Sequence, residues 1–350
     1  CGGGGGGVNG QILIGDALEQ LKTLPDESVN CCVTSPPYWG LRDYGVTGQM
    51  GLEKSPMEYV ENMVAVFREV KRVLRSDGTL WLNLGDSYAT GAGSNRVAGG
   101  KAFGKANHVI DAGAFPISQP NRLPIAGLKP KDLVGIPWRV AFALQADGWW
   151  LRQEIIWHKP NPMPESVTDR CTKSHEQIFL LAKSEVYFFD FLAIKEPATK
   201  GWANSKFHTG KTGQHQLGRS SKVRKREKNN GESAVDCKTR GHGNYCGDAK
   251  GGMRQRRSVW RVTTKPFKGA HFATFPMDLI EPCVLAGCPI GGTVLDPFFG
   301  AGTTGCVANK HRRRFIGIEL NPTYAAMAHE RIAGPMFSGR ESLTEAEIPA

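Results

Sequence analysis

The chain alternates between a helical and a strand-like hydrophobic rhythm for most of its length and loses both in two places. Residues 11–16, Gln-Ile-Leu-Ile-Gly-Asp, form a short apolar run that ends on an acidic side chain, a strand pattern. Leucines at 18, 21 and 24 then predict a helix over 17–24, and Pro25-Asp26-Glu27-Ser28 turns the chain into a second strand at 29–33. Apolar positions at 60, 63, 64, 67, 70 and 74 predict a helix over 59–74, ended by Ser76-Asp77-Gly78, with a strand at 79–84. A helix over 136–146 carries Pro137 in its first turn, where proline is tolerated. Strands follow at 149–157 and 177–182, and Val186-Tyr187-Phe188-Phe189 closes the block. Order resumes at Trp260-Arg261-Val262, with a helix over 276–285, a strand at 293–296, a helix over 303–310, a strand at 315–319 and a last helix over 322–332. Asn321 is placed to cap that last helix. Strands alternating with helices at both ends of the chain predict an α/β fold on a doubly wound, mostly parallel sheet.

The rhythm fails at 89–130, rich in Gly, Ala, Asn and Pro, and at 196–258, rich in Gly, Lys, Arg and Asn. A connection as long as the first is a functional loop or a disordered segment. The opening Cys1 and its six glycines are expected to be a disordered tail or a cloning remnant.

Composition narrows the class. At 350 residues and 40% hydrophobic, the chain supports one large domain or two modest ones. No stretch approaches the roughly 20 apolar residues of a membrane span, and no secretory signal is evident. The nine cysteines are scattered, which fits a reducing cytosol. Cys237 and Cys246 flank His242, too sparse a set to imply zinc, and no metal is expected.

Charge is more telling. The formal net charge is +11, but residues 195–268 alone hold 19 Lys or Arg against 5 Asp or Glu, so the rest is slightly acidic. A basic segment of that density points to a polyanion. Within it, Lys222, Arg224, Lys225, Arg226 and Lys228, then Arg254, Arg256 and Arg257, are candidate phosphate contacts, and binding through them is strongly salt-dependent.

Two motifs carry candidate chemistry. Thr34-Ser35-Pro36-Pro37-Tyr38-Trp39-Gly40 follows the strand at 29–33. Two prolines donate no ladder hydrogen bonds and hold the chain extended, so a hydroxyl, carbonyls and aromatic rings stand at a strand's end. That surface suits a flat heterocycle bearing an amino group; the plainer reading is a proline turn with packed rings. Far downstream, Asp296-Pro297-Phe298-Phe299-Gly300-Ala301-Gly302-Thr303-Thr304-Gly305 joins a strand to a helix, and Glu319 ends the next strand. Glycines there let backbone approach a ligand, while a carboxylate at position 319 can accept both hydroxyls of a ribose. Gly300, Gly302 and Gly305 also fit the dinucleotide fingerprint. However, the loop lies too near the end of the sequence for a second nucleotide half, and Asp296 suits a cationic ligand better than a pyrophosphate.

TSPPYWG followed much later by DPFFGAGTTG and IGIEL resembles the DNA amino-methyltransferases that modify N4 of cytosine or N6 of adenine. The order, catalytic motif first and cofactor motif last, is similar to the circularly permuted β class, with a Rossmann-like methyltransferase fold. The resemblance covers nearly all of 10–332 apart from the irregular insertions. It implies a tail at 1–9, a catalytic half at 10–195 with the insertion 89–130, and a target-recognition region at 196–268. A cofactor-binding half at 269–335 and a tail at 336–350 complete the division.

It also implies S-adenosylmethionine as cofactor and double-stranded DNA as substrate. A cognate restriction endonuclease is a further candidate partner, with a cytoplasmic, prokaryotic or phage-encoded setting and no membrane. The matching positions give Ser35, Pro36, Pro37 and Tyr38 catalytic roles, and Asp16, Thr34, Phe272, Thr274, Asp296, Phe298, Gly300, Gly302, Thr303, Thr304, Glu319 and Asn321 cofactor roles. His158-Lys159-Pro160-Asn161 resembles the family's loop near the target base.

The implied mechanism is direct. An exocyclic amine is a poor nucleophile because its lone pair is delocalised. Hydrogen bonds to the Ser35 hydroxyl and Pro36 carbonyl favour a pyramidal nitrogen, and the Tyr38 ring stabilises the developing charge and stacks on a flipped base. Trp39 is expected mainly to pack. Pro282-Cys283 supplies the dipeptide of cytosine-C5 enzymes but lies inside a predicted helix, so it is read as coincidence. Serine in SPPY leans to N4-cytosine, with N6-adenine as runner-up. A catalytically inactive DNA-binding relic is the alternative from another class.

Overall fold

Each predicted strand and helix forms, most within two residues of its expected ends. The computed structural model describes residues 9–41, 45–46, 48–89, 125, 127–197, 253–264 and 275–334. In chain order the elements are β1 (Gly10–Ile14), α1 (Ala17–Thr23), β2 (Val29–Thr34), α2 (Pro56–Val73), β3 (Leu74–Leu84), α3 (Ile136–Ala146), β4 (Trp150–His158) and β5 (His175–Ala182). There follow β6 (Glu196–Pro197), β7 (Met253–Arg254), β8 (Val259–Arg261), α4 (Met277–Gly287), β9 (Thr293–Asp296), α5 (Thr303–Lys310), β10 (Arg314–Glu319) and α6 (Pro322–Ala333).

The chain divides into two compact units, Cys1–Ile194 with Arg257–Ala350, and Lys195–Arg256. In the second, β6 pairs antiparallel with β7, and Arg254 Nε donates to Glu196 Oε1 at 2.9 Å.

The first unit is built on an eight-stranded sheet in the order β1-β10-β9-β2-β3-β5-β4-β8. All described pairings are parallel except those of β5 with β3 and β4, so β5 alone is reversed. The cause is local: the connection from β4 to β5 contains no helix, and without a crossover helix a strand returns antiparallel. Val259–Arg261, within the basic stretch, is the outermost strand beside β4. Ser76-Asp77-Gly78, expected to end the helix before the next strand, sits inside β3, where the register shifts: Val29 is opposite Leu74, but Cys31 is opposite Thr79.

Helices cover both faces, which is why β2 and β3 read as continuous apolar runs. Cys32, Leu80 and Leu82 pack with Leu21, Tyr59, Met63, Phe67 and Leu144 on one side. Cys31 and Trp81 pack with Leu279, Val284, Val307 and Ile332 on the other. The adjacent cysteines therefore point to opposite faces, as the pleat requires. The starts of α1, α2 and α6 are capped by side chains, as at Ser55, whose hydroxyl accepts the Glu58 amide at 3.2 Å, and at Asn321, which accepts that of Thr323 at 2.9 Å. Among the described residues no helix is long and apolar enough to cross a membrane.

Candidate active site

From β9 the chain passes through α5 to β10, toward the β1 edge; from β2 it passes through α2 to β3, the opposite way. β9 and β2 are neighbours, so the sheet reverses its winding between them. A crevice opens at the carboxyl ends of strands on either side of such a point. Here it is a cleft of about 1090 Å³, counting its open mouth, walled by the ends of β1, β2, β9 and β10 and by α6.

The glycine loop shapes one wall. Gly300 and Gly302 have φ of 51° and 74°, and a Cβ on Gly302 would meet Ala328 Cβ at 2.8 Å, so glycine is what lets α5 start against α6. Glu319 Oε2 accepts the Gly300 amide at 2.7 Å and Oε1 accepts that of Asn321 at 2.8 Å. Each oxygen keeps a lone pair for a ligand. Burial raises the Glu319 pKa against the pull of those two amides. Asp16 also lines the cleft while capping α1, accepting the Glu19 amide at 3.1 Å. Arg331, which sequence reasoning missed, donates to the Ala301 carbonyl at 3.0 Å and to Thr303 Oγ1 at 2.9 Å, tying the loop to α6.

Asp296 does something different from what its position beside the loop implied. It is 1% exposed and is not among the cleft walls. Thr34 Oγ1 donates to its Oδ1 at 2.6 Å, Thr304 Oγ1 to its Oδ2 at 2.7 Å, and the Phe298 amide to Oδ1 at 3.1 Å. The carboxylate clasps β2, β9 and α5 together directly behind the cleft. Complete burial pushes its pKa up to about 6, against the hydroxyls of Thr34 and Thr304.

The SPPY segment is pinned from below. The Pro37 carbonyl accepts the Tyr59 hydroxyl at 2.9 Å, and Trp39, 1% exposed, donates Nε1 to the Glu53 carbonyl at 2.9 Å. Trp39 is thus a packing residue. Ser35 and Pro37 line the cleft, whereas buried Pro36 and part-buried Tyr38 do not. The Tyr38 hydroxyl joins a polar network: it donates to Glu176 Oε2 at 2.8 Å and receives Asn83 Nδ2 at 2.7 Å and Ser35 Oγ at 3.3 Å. Lys159 Nζ pairs with Glu176 Oε1 and lies 4.3 Å from the centre of the Trp157 ring. Ser35 is the residue shared by the cleft and the network.

Of the expected cofactor residues, Asp16, Phe298, Gly300, Thr303, Glu319 and Asn321 meet in the cleft, and Thr34, Asp296, Gly302 and Thr304 lie behind it. Phe272, Thr274, Lys222, Arg224, Lys225, Arg226, Lys228 and the Cys237, His242 and Cys246 group are outside the described residues. Arg254 is engaged by Glu196. Asn161 exchanges hydrogen bonds with the backbone of Thr264. Cys283 is buried inside α4, away from the cleft, so the Pro-Cys dipeptide has no access to a substrate there. Phe275, Met50, Tyr324 and Met327 also wall the cleft. Of the unexpected network members, Asn83 was visible only as a polar residue inside the apolar run Leu80-Trp81-Leu82-Asn83-Leu84, and Glu176 as one at the head of a strand.

The family profile described as DNA methylase, N6/N4, matches residues 29–330. The Type II methyltransferase M.Cfr9I of Citrobacter freundii is 47% identical over 328 residues, 93% of this chain and 89% of that protein. In fold, the chain is similar to the PvuII cytosine-N4-specific DNA methyltransferase, with a TM-score of 0.58, 18% identity, and 93% and 87% of the two chains covered. It is also similar to TTHA0409 of Thermus thermophilus, solved complexed with S-adenosyl-L-methionine (TM-score 0.51, 21% identity, 93% and 95% covered).

Proposed function

The chain belongs to the N6/N4 DNA methylase family, and from that premise we propose that it methylates the exocyclic amine of a base flipped out of duplex DNA, N4 of cytosine in preference to N6 of adenine. The observation that carries this reading is the double membership of Ser35, in the wall of the glycine-loop cleft and in the Tyr38 network. It sets an acceptor hydroxyl beside the cleft.

The cleft fits S-adenosylmethionine. Asp16 and Glu319 are in its walls, and no Lys, Arg or His is among the described wall residues, which suits a cation and not a pyrophosphate. Glu319 would hold the ribose hydroxyls, Asp16 would meet the adenine ring, and Phe298 and Gly300 would flank the methionine end. Bound there, the cofactor supplies a methyl group activated by a sulfonium. Ser35 and the Pro36 carbonyl accept the amine hydrogens and keep the nitrogen lone pair toward the cleft. The Tyr38 ring faces the base and favours the cationic nitrogen. The basic stretch neutralises DNA phosphates. The Type II designation of M.Cfr9I supports a restriction–modification setting with a cognate endonuclease.

Base identity rests on Ser35, because aspartate is commoner at that position among adenine enzymes. Unmethylated plasmid DNA treated with the protein and S-adenosylmethionine, then digested to nucleosides, is expected to yield N4-methyldeoxycytidine. N6-methyldeoxyadenosine would promote the runner-up, and 5-methyldeoxycytidine would overturn the mechanism.

Gly85 provides a second check. A Cβ there would meet the Tyr38 ring at 2.4 Å. Its backbone needs no positive φ, so Gly85→Ala should displace the ring while leaving the fold intact. Methyl transfer is expected to fall by roughly 10- to 100-fold at an unchanged unfolding midpoint. Full activity would mean that the ring position is irrelevant.

A further inference from the structure

The polar network around Tyr38 has a direction, and Glu176 sets it. A carboxylate only accepts hydrogen bonds, so the Tyr38 hydroxyl must donate to Glu176 Oε2, 2.8 Å away. The tyrosine oxygen is thereby left as an acceptor, taking Asn83 Nδ2 at 2.7 Å and the Ser35 hydroxyl at 3.3 Å. Asn83, 4% exposed, also donates to Ser35 Oγ at 3.3 Å and to Glu176 Oε2 at 3.2 Å. With its own proton turned toward Tyr38, Ser35 has only a lone pair to offer the cleft. Lys159 pairs with the far oxygen of Glu176, which leaves Oε2 to the Tyr38 hydroxyl.

Resting on the reading of Ser35 as the amine-binding residue, we propose that Ser35, Tyr38 and Glu176 form a proton wire. It makes Ser35 an acceptor toward an amino group and carries off the proton released on methylation. The newly methylated nitrogen has four bonds and a positive charge. One N–H bond breaks, leaving its electron pair on nitrogen, and the proton passes to Ser35 Oγ. The Ser35 proton passes to the Tyr38 oxygen, and the Tyr38 proton to Glu176, which ends neutral. No further reactant is needed. The same polarity selects against a carbonyl oxygen at that place, as in thymine, because Ser35 has no proton turned toward it. Glu176 acts through Tyr38 and Ser35 and is a positioning residue.

The test uses the full chain, tritiated S-adenosylmethionine and unmethylated plasmid DNA, with single-turnover rates and separate titrations of cofactor and DNA. Glu176→Gln keeps the shape but cannot take the proton, and its amide can donate back to Tyr38. Tyr38→Phe cuts the wire without disturbing the Lys159 pair, and so stands in if the glutamine variant fails to fold. Each is expected to slow transfer by about 100-fold at unchanged cofactor and DNA affinity. The double variant should be no slower than the single ones, since both remove one unit. Glu176→Asp should recover part of the rate. Wild-type rates in Tyr38→Phe, losses that multiply in the double variant, or losses confined to affinity would overturn the wire. If the wild-type chain itself labels no base amine, the parent reading fails instead.

Discussion

Tyr38→Ala is expected to lower methyl transfer by roughly 10³-fold while cofactor affinity stays within about twofold. The two effects separate because Tyr38 is absent from the cleft walls, where Asp16 and Glu319 remain untouched. Stacking on a flipped base is worth about 1–3 kcal/mol, and a desolvated cation–π contact to the developing charge about 2 kcal/mol more. Together these give the expected loss. The variant also strands the network, since Glu176 and Asn83 lose their shared hydroxyl. Calorimetric titration of the cofactor and single-turnover labelling of DNA report the two quantities independently. A parallel fall in both would show that Tyr38 supports the cleft and does not face the base.

The sheet and its helices were legible because each buried face leaves a period in the chain. Residues 136–146, 293–296 and 303–310 form the elements expected of them, end for end. The direction of β5 was not legible, because its apolar run reads the same either way and only the missing crossover helix reverses it. The site divided along the same line. Local groups were readable: Ser35 to Tyr38 stand on one stiff segment, and Gly300 and Gly302 on one turn. Partners distant in sequence were not. Glu176 reaches Tyr38 across 138 positions, and Thr34 reaches Asp296 across 262. An acidic residue next to a glycine loop looks identical in sequence whether it faces ligand or core. Asp296 faces the core, and the two threonines that receive it decide that.

The clasp leads to the second large effect, Asp296→Asn, which runs in opposite directions for stability and for ligand affinity. In the folded chain burial lifts Asp296 to about 6 from an ordinary 3.8. Between those values the folded protein holds a proton that the unfolded chain has released. The stability linked to this group is therefore complete below about pH 3.8 and is lost as pH rises through about 6. The loss amounts to about 3 kcal/mol. Asparagine does not titrate, so the unfolding free energy of the wild type should fall by about that amount relative to the variant between about pH 4 and pH 7.5. Denaturant melts at a series of pH values measure it, and taking the difference cancels the contributions of groups that do not interact with Asp296. A cationic ligand in front of the clasp should favour the ionised carboxylate, since little solvent screens the charge at this depth. Affinity for S-adenosylmethionine should then rise across the same window roughly tenfold more in the wild type than in the variant, where only the cleft carboxyls such as Glu319 still titrate. A stability step without an affinity step would make Asp296 a clasp alone. Steps in both would mean that the fold keeps a costly buried charge where it serves the cation.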